Sequence, residues 1–175
     1  ARAVYKLEEI DRRVQLLRKG QRVLDLGCFP GSWSLYAAKR VGEEGRVLGV
    51  DIQPPTTPLP AQARHEERDV LALNPGDLGG PSSFDLVLSD MAPSTTGTRF
   101  VDQCRSFELF MHALSLAEGT LSQHGHFVGK IFQGPDFDEA KKRVQSLFTK
   151  TRIIKPEASR RESIEIFLVG LKLKR

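Results

Sequence analysis

The chain has 175 residues, of which 39% are hydrophobic and 27% are charged, and this composition favours one globular domain over residues 1–175. No apolar run is long enough to span a membrane and no signal peptide is recognisable, so we expect no membrane contact and a cytoplasmic location, or a mitochondrial one in a eukaryote. The formal net charge is +4, and basic residues crowd 2–22 and 141–161, as expected either for an RNA partner or for two solvated helix faces.

Hydrophobic periodicity and glycine or proline breaks divide the chain into alternating helices and strands. The first half contains a helix over 2–18, a strand over 22–26, a glycine-rich turn over 27–31, a helix over 32–40, a strand over 46–50, a proline-rich loop over 53–61 and a strand over 63–67. The second half contains a strand over 84–89, a loop over 90–93, a helix over 101–122, a strand over 126–132, a helix over 136–149, and strands over 152–154 and 163–171. This alternation predicts an α/β fold with a mostly parallel sheet and helices on both faces.

The glycine-rich turn joins the first predicted strand to the second helix. Its Gly27 and Gly31 follow a Gly-x-x-x-Gly spacing, which lets the backbone turn sharply and approach a ligand, although a plain strand–helix connection has the same spacing. The Gly-x-Gly-x-x-Gly pattern of dinucleotide-binding sites is missing, which argues against a hydride-transferring dehydrogenase.

Two acidic residues end predicted strands beside this turn. Asp51 lies 20 residues past Gly31, where a carboxylate can accept hydrogen bonds from both hydroxyls of a ribose. Asp69 could accept a bond from an adenine amino group, or it could cap the short helix that follows it. Together these positions suit an adenosine ligand without a pyrophosphate, such as S-adenosylmethionine.

Four further residues are candidates for catalysis. Asp90 leaves a buried strand, and Lys130 lies in an apolar run where a lysine is unusual, although a side chain that reaches the rim of the sheet is the alternative. For Lys6 the alternative is a surface lysine. For Glu165 it is a residue on the exposed face of an edge strand.

From end to end, the chain resembles the FtsJ/RrmJ family of ribose methyltransferases, called RlmE in bacteria. The resemblance rests on motifs that occur in the family's order: Ala1-Arg2-Ala3-Val4-Tyr5-Lys6-Leu7, Gly27-Cys28-Phe29-Pro30-Gly31-Ser32-Trp33-Ser34, Ser89-Asp90-Met91-Ala92-Pro93, Lys130-Ile131-Phe132-Gln133-Gly134, Lys155 to Arg160, and Ser163-Ile164-Glu165. The chain departs from the family pattern at Ala1, at Cys28-Phe29 and at Ser32. Cys28-Phe29 replaces two alanines beside the cofactor and would tighten that pocket.

The resemblance implies a Rossmann-like, S-adenosylmethionine-dependent methyltransferase fold with a seven-stranded sheet. It implies methylation of the 2′-oxygen of a uridine in the A loop of large-subunit ribosomal RNA. We also expect a monomer. Free RNA and the assembled large subunit are both open as substrates, and the shortness of the chain favours the subunit. The catalytic tetrad falls on Lys6, Asp90, Lys130 and Glu165. The cofactor contacts fall on Gly31, Trp33, Asp51, Asp69 and Asp90, and no metal is implied.

On this basis we expect Lys130 to accept the proton of the 2′-hydroxyl. Lys130 must be neutral to do so, and we expect repulsion by Lys6 to lower its pKa, with Asp90 orienting Lys130 and opposing that change. Glu165 is expected to hold Lys6 and the target ribose.

Other functions remain open at this stage. The chain could methylate another RNA, a protein or a small molecule, or it could be a non-catalytic RNA-binding factor in ribosome assembly. Cys28 and Cys104 form no CxxC pair, so we expect no structural zinc site. The pair His124 and His126 has no acidic or cysteine partner nearby in sequence, so we interpret it as a polar turn rather than a metal site.

Overall fold

The computed structural model describes residues 2–175. Ala1, the first departure from the family motif, lies outside the described residues. The helices are α1 (Arg2–Val14), α2 (Ser32–Val41), α3 (Arg99–Thr120) and α4 (Phe137–Leu147). The strands are β1 (Arg22–Leu26), β2 (Arg46–Asp51), β3 (Ala63–Glu67), β4 (Phe84–Ser89), β5 (Leu121–Phe132), β6 (Phe148–Ile154) and β7 (Glu165–Leu173), and two short 3-10 turns cover Val70–Ala72 and Pro75–Leu78.

The strands form one seven-stranded sheet in the order β3-β2-β1-β4-β5-β7-β6. The pairs from β3 to β5 are parallel, whereas β7 runs antiparallel to both β5 and β6. Helices α1 and α2 bury apolar side chains against one face, and α3 and α4 against the other. The predicted α/β fold, with a mostly parallel sheet covered on both faces, is therefore confirmed.

Sheet register gathers the candidate residues at one edge. Ser89 pairs with Leu26 on one side and with Gly129 on the other, so the residues that follow β1 and β4 meet Lys130 at the carboxyl ends of the parallel strands. Glu165 reaches the same edge because β7 runs back along β5 and pairs it with Phe132. Since β7 lies between β5 and β6, the interpretation of Glu165 as part of an edge strand is wrong.

The first helix ends four residues earlier than predicted. Asp11, which is 3% exposed, accepts hydrogen bonds through Oδ1 from the backbone N–H groups of Leu16 and Leu17 at 3.0 and 2.9 Å. Gln15 takes a φ of 54°, in the left-handed region. The carboxylate thus satisfies amides that a longer helix would bond to its own carbonyls, and Leu16 and Leu17 still reach the core.

Other differences are small shifts of boundaries. β5 and β6 begin earlier than predicted, and β7 begins two residues later, after Ser163. β5 follows α3 directly and has a register irregularity opposite Phe84 and Leu86, which hydrophobic periodicity does not reveal. Among residues 2–175, no helix is long and apolar enough to cross a membrane.

Asp11→Ala should strongly destabilise the protein. Asp11 Oδ2 also accepts a bond from the Tyr36 hydroxyl at 2.9 Å and pairs with Arg40 at 3.2 Å, so the substitution leaves several buried groups without a partner. We expect the free energy of unfolding to fall by about 3 kcal/mol, measured by urea denaturation. Glu8→Ala, on the exposed side of the same helix, should change it by less than about 0.5 kcal/mol; equal effects of the two substitutions would contradict this role for Asp11.

Candidate active site

Four charged side chains meet at the carboxyl edge of the sheet. Lys130 Nζ lies 3.0 Å from Asp90 Oδ1 and 3.3 Å from Glu165 Oε1. Lys6 Nζ donates to the other oxygen of Glu165 at 3.4 Å. The side chain of Lys130 is only 8% exposed, whereas the other three are 13–23% exposed. The structure therefore brings together all four residues of the expected tetrad, and Lys130 is the most deeply buried.

Packing of the first helix brings Lys6 into this cluster. Leu7 and Ile10 are fully buried on the face of α1 that covers the sheet. Trp33 anchors the start of the same helix, because its indole Nε1 donates to the Ala3 carbonyl at 2.7 Å and its ring packs against Phe167, with ring centroids 5.8 Å apart. Lys6 is thereby held beside Glu165 and is not a freely solvated surface lysine.

The charges of the cluster shift its pKa values. Burial alone would lower the pKa of Lys130, but the charges of Asp90 and Glu165 outweigh it and hold this pKa above its ordinary value. Burial would raise the pKa of Glu165, yet Lys130 and Lys6 together hold it below its usual range. The sequence left open the balance between repulsion by Lys6 and the opposing charge of Asp90. The carboxylates prevail, and the net shift of the Lys130 pKa is upward.

A cleft opens on the Asp90 side of the cluster, and we call it the Asp90 cleft. Its volume is about 320 Å³, near the lower end of the range of about 300–1,000 Å³ for small-molecule sites. Its lining includes three carboxylates, those of Asp51, Asp69 and Asp90, and three exposed apolar side chains, those of Phe29, Ile52 and Leu71. A cleft with acceptor groups and apolar walls suits a nucleoside with hydroxyl and amino groups.

Backbone contacts fix two of these carboxylates. Asp51 accepts bonds from the N–H groups of Phe29 and Gln53 at 2.9 and 3.0 Å, which leaves further lone pairs for a ligand. Asp69 accepts a bond from the Leu71 N–H at 3.0 Å and so caps the first 3-10 turn, while it also lines the cleft. The interpretation of Asp69 as a cap is therefore confirmed, and its contact with an adenine amino group stays a prediction.

Gly31 and Trp33 do not line the Asp90 cleft. Gly31 has a φ of 113°, and a Cβ there would lie 2.9 Å from Pro55, so this glycine lets the turn pack against the proline-rich loop. The Trp33 side chain is 3% exposed and turned toward α1. Only backbone groups at the start of α2, whose first N–H groups have no intrahelical partner, remain for contact with a ligand.

Cys28 and Phe29 face opposite ways. The Cys28 thiol is buried, and a Cβ on Gly49 would come within 2.8 Å of its sulfur. Burial raises the pKa of this thiol to about 12. Phe29 alone, 45% exposed, lines the cleft. Any narrowing of the pocket relative to the alanine pair of the family therefore comes from Phe29.

Several residues that line the cleft were not predicted from the sequence. Met91 packs over Gly27, where a Cβ would lie 2.3 Å from the Met91 side chain, and Arg68 lies beside Asp69. No sequence pattern singles out Ile52, which is 62% exposed and lines the cleft.

A second cleft, the Glu165 cleft, lies on the other side of the cluster. Its volume is about 370 Å³, and it is lined by Thr95, Gly97, Arg99, Asp102, Phe132 and the segment 162–165. Asp90 lines one cleft and Glu165 the other, so Lys130, which contacts both carboxylates, lies between two separate spaces.

Histidines and cysteines form no metal centre in the part of the chain that the structure describes, residues 2–175. His126 is buried, and its Nδ1 accepts a bond from the Lys172 N–H at 3.1 Å. Burial lowers the pKa of His126 to about 4, so it stays neutral at physiological pH.

Comparison with known proteins agrees with this site. Residues 1–173 match the family model described as FtsJ-like methyltransferase. A ribosomal RNA large subunit methyltransferase E from Sorangium cellulosum is 53% identical over 174 residues, which cover 99% of this chain and 82% of that protein. A protein of the same name from Bdellovibrio bacteriovorus is 48% identical, with 99% and 90% of the two chains covered.

Solved structures share the architecture. A putative ribosomal RNA methyltransferase from Plasmodium falciparum superposes with a TM-score of 0.83 at 25% identity, covering 99% of this chain and 97% of that one. A putative S-adenosylmethionine dependent methyltransferase from Listeria monocytogenes superposes with a TM-score of 0.67 at 14% identity, covering 98% of each chain, and this second likeness supports the fold only.

Asp25, beneath the cleft, should make stability depend on pH. It is 1% exposed and accepts a bond from the Ser34 hydroxyl at 2.7 Å. Burial raises its pKa to about 7. The folded state therefore holds the Asp25 proton more tightly than the unfolded chain, which releases it near pH 4. This tighter binding stabilises the folded state fully below about pH 4, and the stabilisation is lost as the pH rises through 7.

Asp25→Asn removes this titration and keeps an acceptor for Ser34. We compare the free energy of unfolding of the variant with that of the unsubstituted protein by urea denaturation at each pH. The difference should shift in favour of the variant by on the order of 4 kcal/mol as the pH rises from 4 to 8. A stability difference that does not change with pH would show that Asp25 is ionised in the folded protein.

Proposed function

This chain belongs to the FtsJ-like methyltransferase family, and we propose that it methylates the 2′-oxygen of a ribose in large-subunit ribosomal RNA, with S-adenosylmethionine as methyl donor. The names of its relatives support the substrate class. The observation that carries the proposal is the buried Lys130 ammonium between two carboxylates, one facing each of two clefts. A non-catalytic assembly factor would not need this complete set of buried charges, whose desolvation is costly.

The residues of the Asp90 cleft fit S-adenosylmethionine, which supplies an electrophilic methyl group on a positively charged sulfur. Asp51 would accept bonds from the ribose hydroxyls and Asp69 from the adenine amino group. Ile52 and Leu71 would cover the base, and free N–H groups at the start of α2, next to Gly31 and Trp33, suit the carboxylate of the donor. Asp90 places a negative charge at the end of the cleft nearest Lys130.

Lys130 would act as the base of the reaction. In its neutral form, Nζ would accept the proton of the 2′-hydroxyl while the oxygen takes the methyl group from the sulfonium sulfur. The bond between that carbon and the sulfur would break, and the donor would leave as a neutral thioether. The raised pKa of Lys130 means that only a small fraction is neutral near pH 7. The rate of methyl transfer is therefore expected to rise with pH, because the neutral fraction of Lys130 rises.

The other three members of the tetrad would position the reacting groups. Asp90 orients Nζ of Lys130 from the donor side, at 3.0 Å. Glu165 holds Lys130 and Lys6 through separate oxygens and faces the Glu165 cleft, where the acceptor nucleoside would lie. Arg99 in the same cleft offers a cation to a phosphate of the RNA strand.

The resemblance to the RlmE family leads us to propose a uridine in the A loop as the target, presented by the assembled large subunit. We propose further that the protein acts as a monomer in the cytoplasm. To test the function, large subunits from a strain that lacks its own A-loop ribose methyltransferase are incubated with labelled donor. The proposal is supported if a single ribose is methylated and the phosphodiester linkage next to it resists alkaline cleavage. Label on a base or on protein contradicts it.

Lys130→Ala should abolish most of the methyl transfer. Because the base is lost, we expect the turnover number to fall by about 10²–10⁴-fold, measured with the same subunits. Affinity for the donor, measured by calorimetry, should stay near that of the unsubstituted protein. Lys150→Ala, which removes an exposed lysine on β6, is the matched control and should leave turnover unchanged. Near-normal turnover in Lys130→Ala would show that another group takes the proton.

Glu165→Gln should shift the pH dependence of turnover to lower pH. Below the pKa of a base, its neutral fraction rises about tenfold per pH unit, so the unsubstituted protein should speed up steadily from about pH 7 to 9.5. Glu165→Gln removes one of the two charges that raise the pKa of Lys130, so its profile should level off earlier, even though its absolute turnover is lower. A pH-independent rate in the unsubstituted protein would contradict Lys130 as the base.

A further inference from the structure

A third cleft lies beside Lys6 and has no part in the chemistry described above. It is formed by Arg2 and Tyr5 of α1 and by residues 157–159 of the segment between β6 and β7, and its volume is about 440 Å³. We call it the Tyr5 cleft. Tyr5 is 59% exposed, an unusual position for an aromatic ring that contributes nothing to the core.

A buried carboxylate holds the two walls of the Tyr5 cleft together. Glu9 is 8% exposed, and its Oε1 accepts a bond from the Glu157 N–H at 2.8 Å, which ties the segment 157–159 to α1. The second oxygen of Glu9 accepts a bond from Arg13 at 3.3 Å. The cleft is therefore pre-formed, because the contact between Glu9 and Glu157 joins its two walls.

The Tyr5 cleft continues the surface on which the acceptor strand would lie. Tyr5 is adjacent in α1 to Lys6, which binds Glu165 at 3.4 Å. The segment that forms the other wall leads through Arg160 and Arg161, both exposed, to the residues 162–165 that line the Glu165 cleft. A strand with its reacting ribose at Glu165 thus has a continuous path to Tyr5, bordered by cations.

We propose that the Tyr5 cleft binds a nucleotide that neighbours the methylated one in the RNA strand. Its base stacks on the Tyr5 ring, and its phosphate pairs with Arg2. Every base has a face that can stack on Tyr5, and the Arg2 guanidinium can pair with a phosphate. The favoured occupant is an RNA strand because the cleft continues the surface that leads to Glu165. This subsite rests on the proposed function, because it presupposes an RNA acceptor at Glu165.

Three substitutions test the subsite, with methyl transfer to unmethylated large subunits as the assay. Tyr5→Ala should raise KM for the subunits about 5- to 150-fold, the range for losing one stacked base, and leave the affinity for the methyl donor unchanged. Tyr5→Phe keeps the ring and should keep the KM. Arg2→Gln should raise KM and weaken its dependence on salt, whereas Arg12→Gln, an exposed arginine on the same helix, should do neither.

A cross-linking experiment identifies the occupant directly. With p-benzoylphenylalanine in place of Tyr5, irradiation of the complex with large subunits should attach the protein to ribosomal RNA within a few nucleotides of the methylated ribose. Attachment to a ribosomal protein overturns the proposal, as does an unchanged KM in Tyr5→Ala or an equal loss in Tyr5→Phe. Methylation of a ribose by the unsubstituted protein tests the proposed function separately. The subsite is judged only by the comparison of variants and by the cross-link.

Discussion

The ammonium group of Lys130 constrains everything around it. It lies in a strand with apolar neighbours and is almost shielded from water, so its charge is stable there only while carboxylates stay close. Asp90 and Glu165 meet this need at 3.0 and 3.3 Å, and Lys6 then balances the second negative charge. Two cations and two anions together are neutral, which makes the burial of the whole cluster tolerable. Each member is therefore both part of the chemistry and a condition for the others to remain charged.

Strand direction explains how this cluster can form. Parallel strands deliver the residues at their carboxyl ends to one edge, which accounts for Asp90 after β4 and for Lys130 in β5. The first residue of another parallel strand would lie at the opposite edge. Because β7 is inserted antiparallel between β5 and β6, its first residue, Glu165, lies at the same edge as Lys130. A single reversed strand thus brings the Glu165 carboxylate to the edge where Asp90 and Lys130 lie.

The sequence predicted the parts of the fold that follow from local pattern. The strands β1, β2 and β4 could be found because each is a short and mostly apolar run, and Asp51 could be found because it ends β2. The early end of α1 could not, because Asp11 acts through a side chain that reaches Leu16, Leu17, Tyr36 and Arg40 across the fold. The sign of the Lys130 pKa shift could not be settled from the sequence, since it depends on how close the carboxylates lie to Nζ and on how deeply the side chain is buried. Sequence spacing contains neither quantity.

The link between α1 and β7 also orders the steps by which the site becomes complete. The Asp90 cleft is built from residues between Gly27 and Leu109, whereas the ion pair between Lys6 and Glu165 joins residues 159 positions apart. During synthesis, every residue that lines the Asp90 cleft is therefore made long before the last strand supplies Glu165. A chain that stops short of β7 would retain the residues of this cleft but lack Glu165. Under the proposed function, binding of the methyl donor is consequently no measure of a finished enzyme, whereas transfer to RNA reports on the fold as a whole.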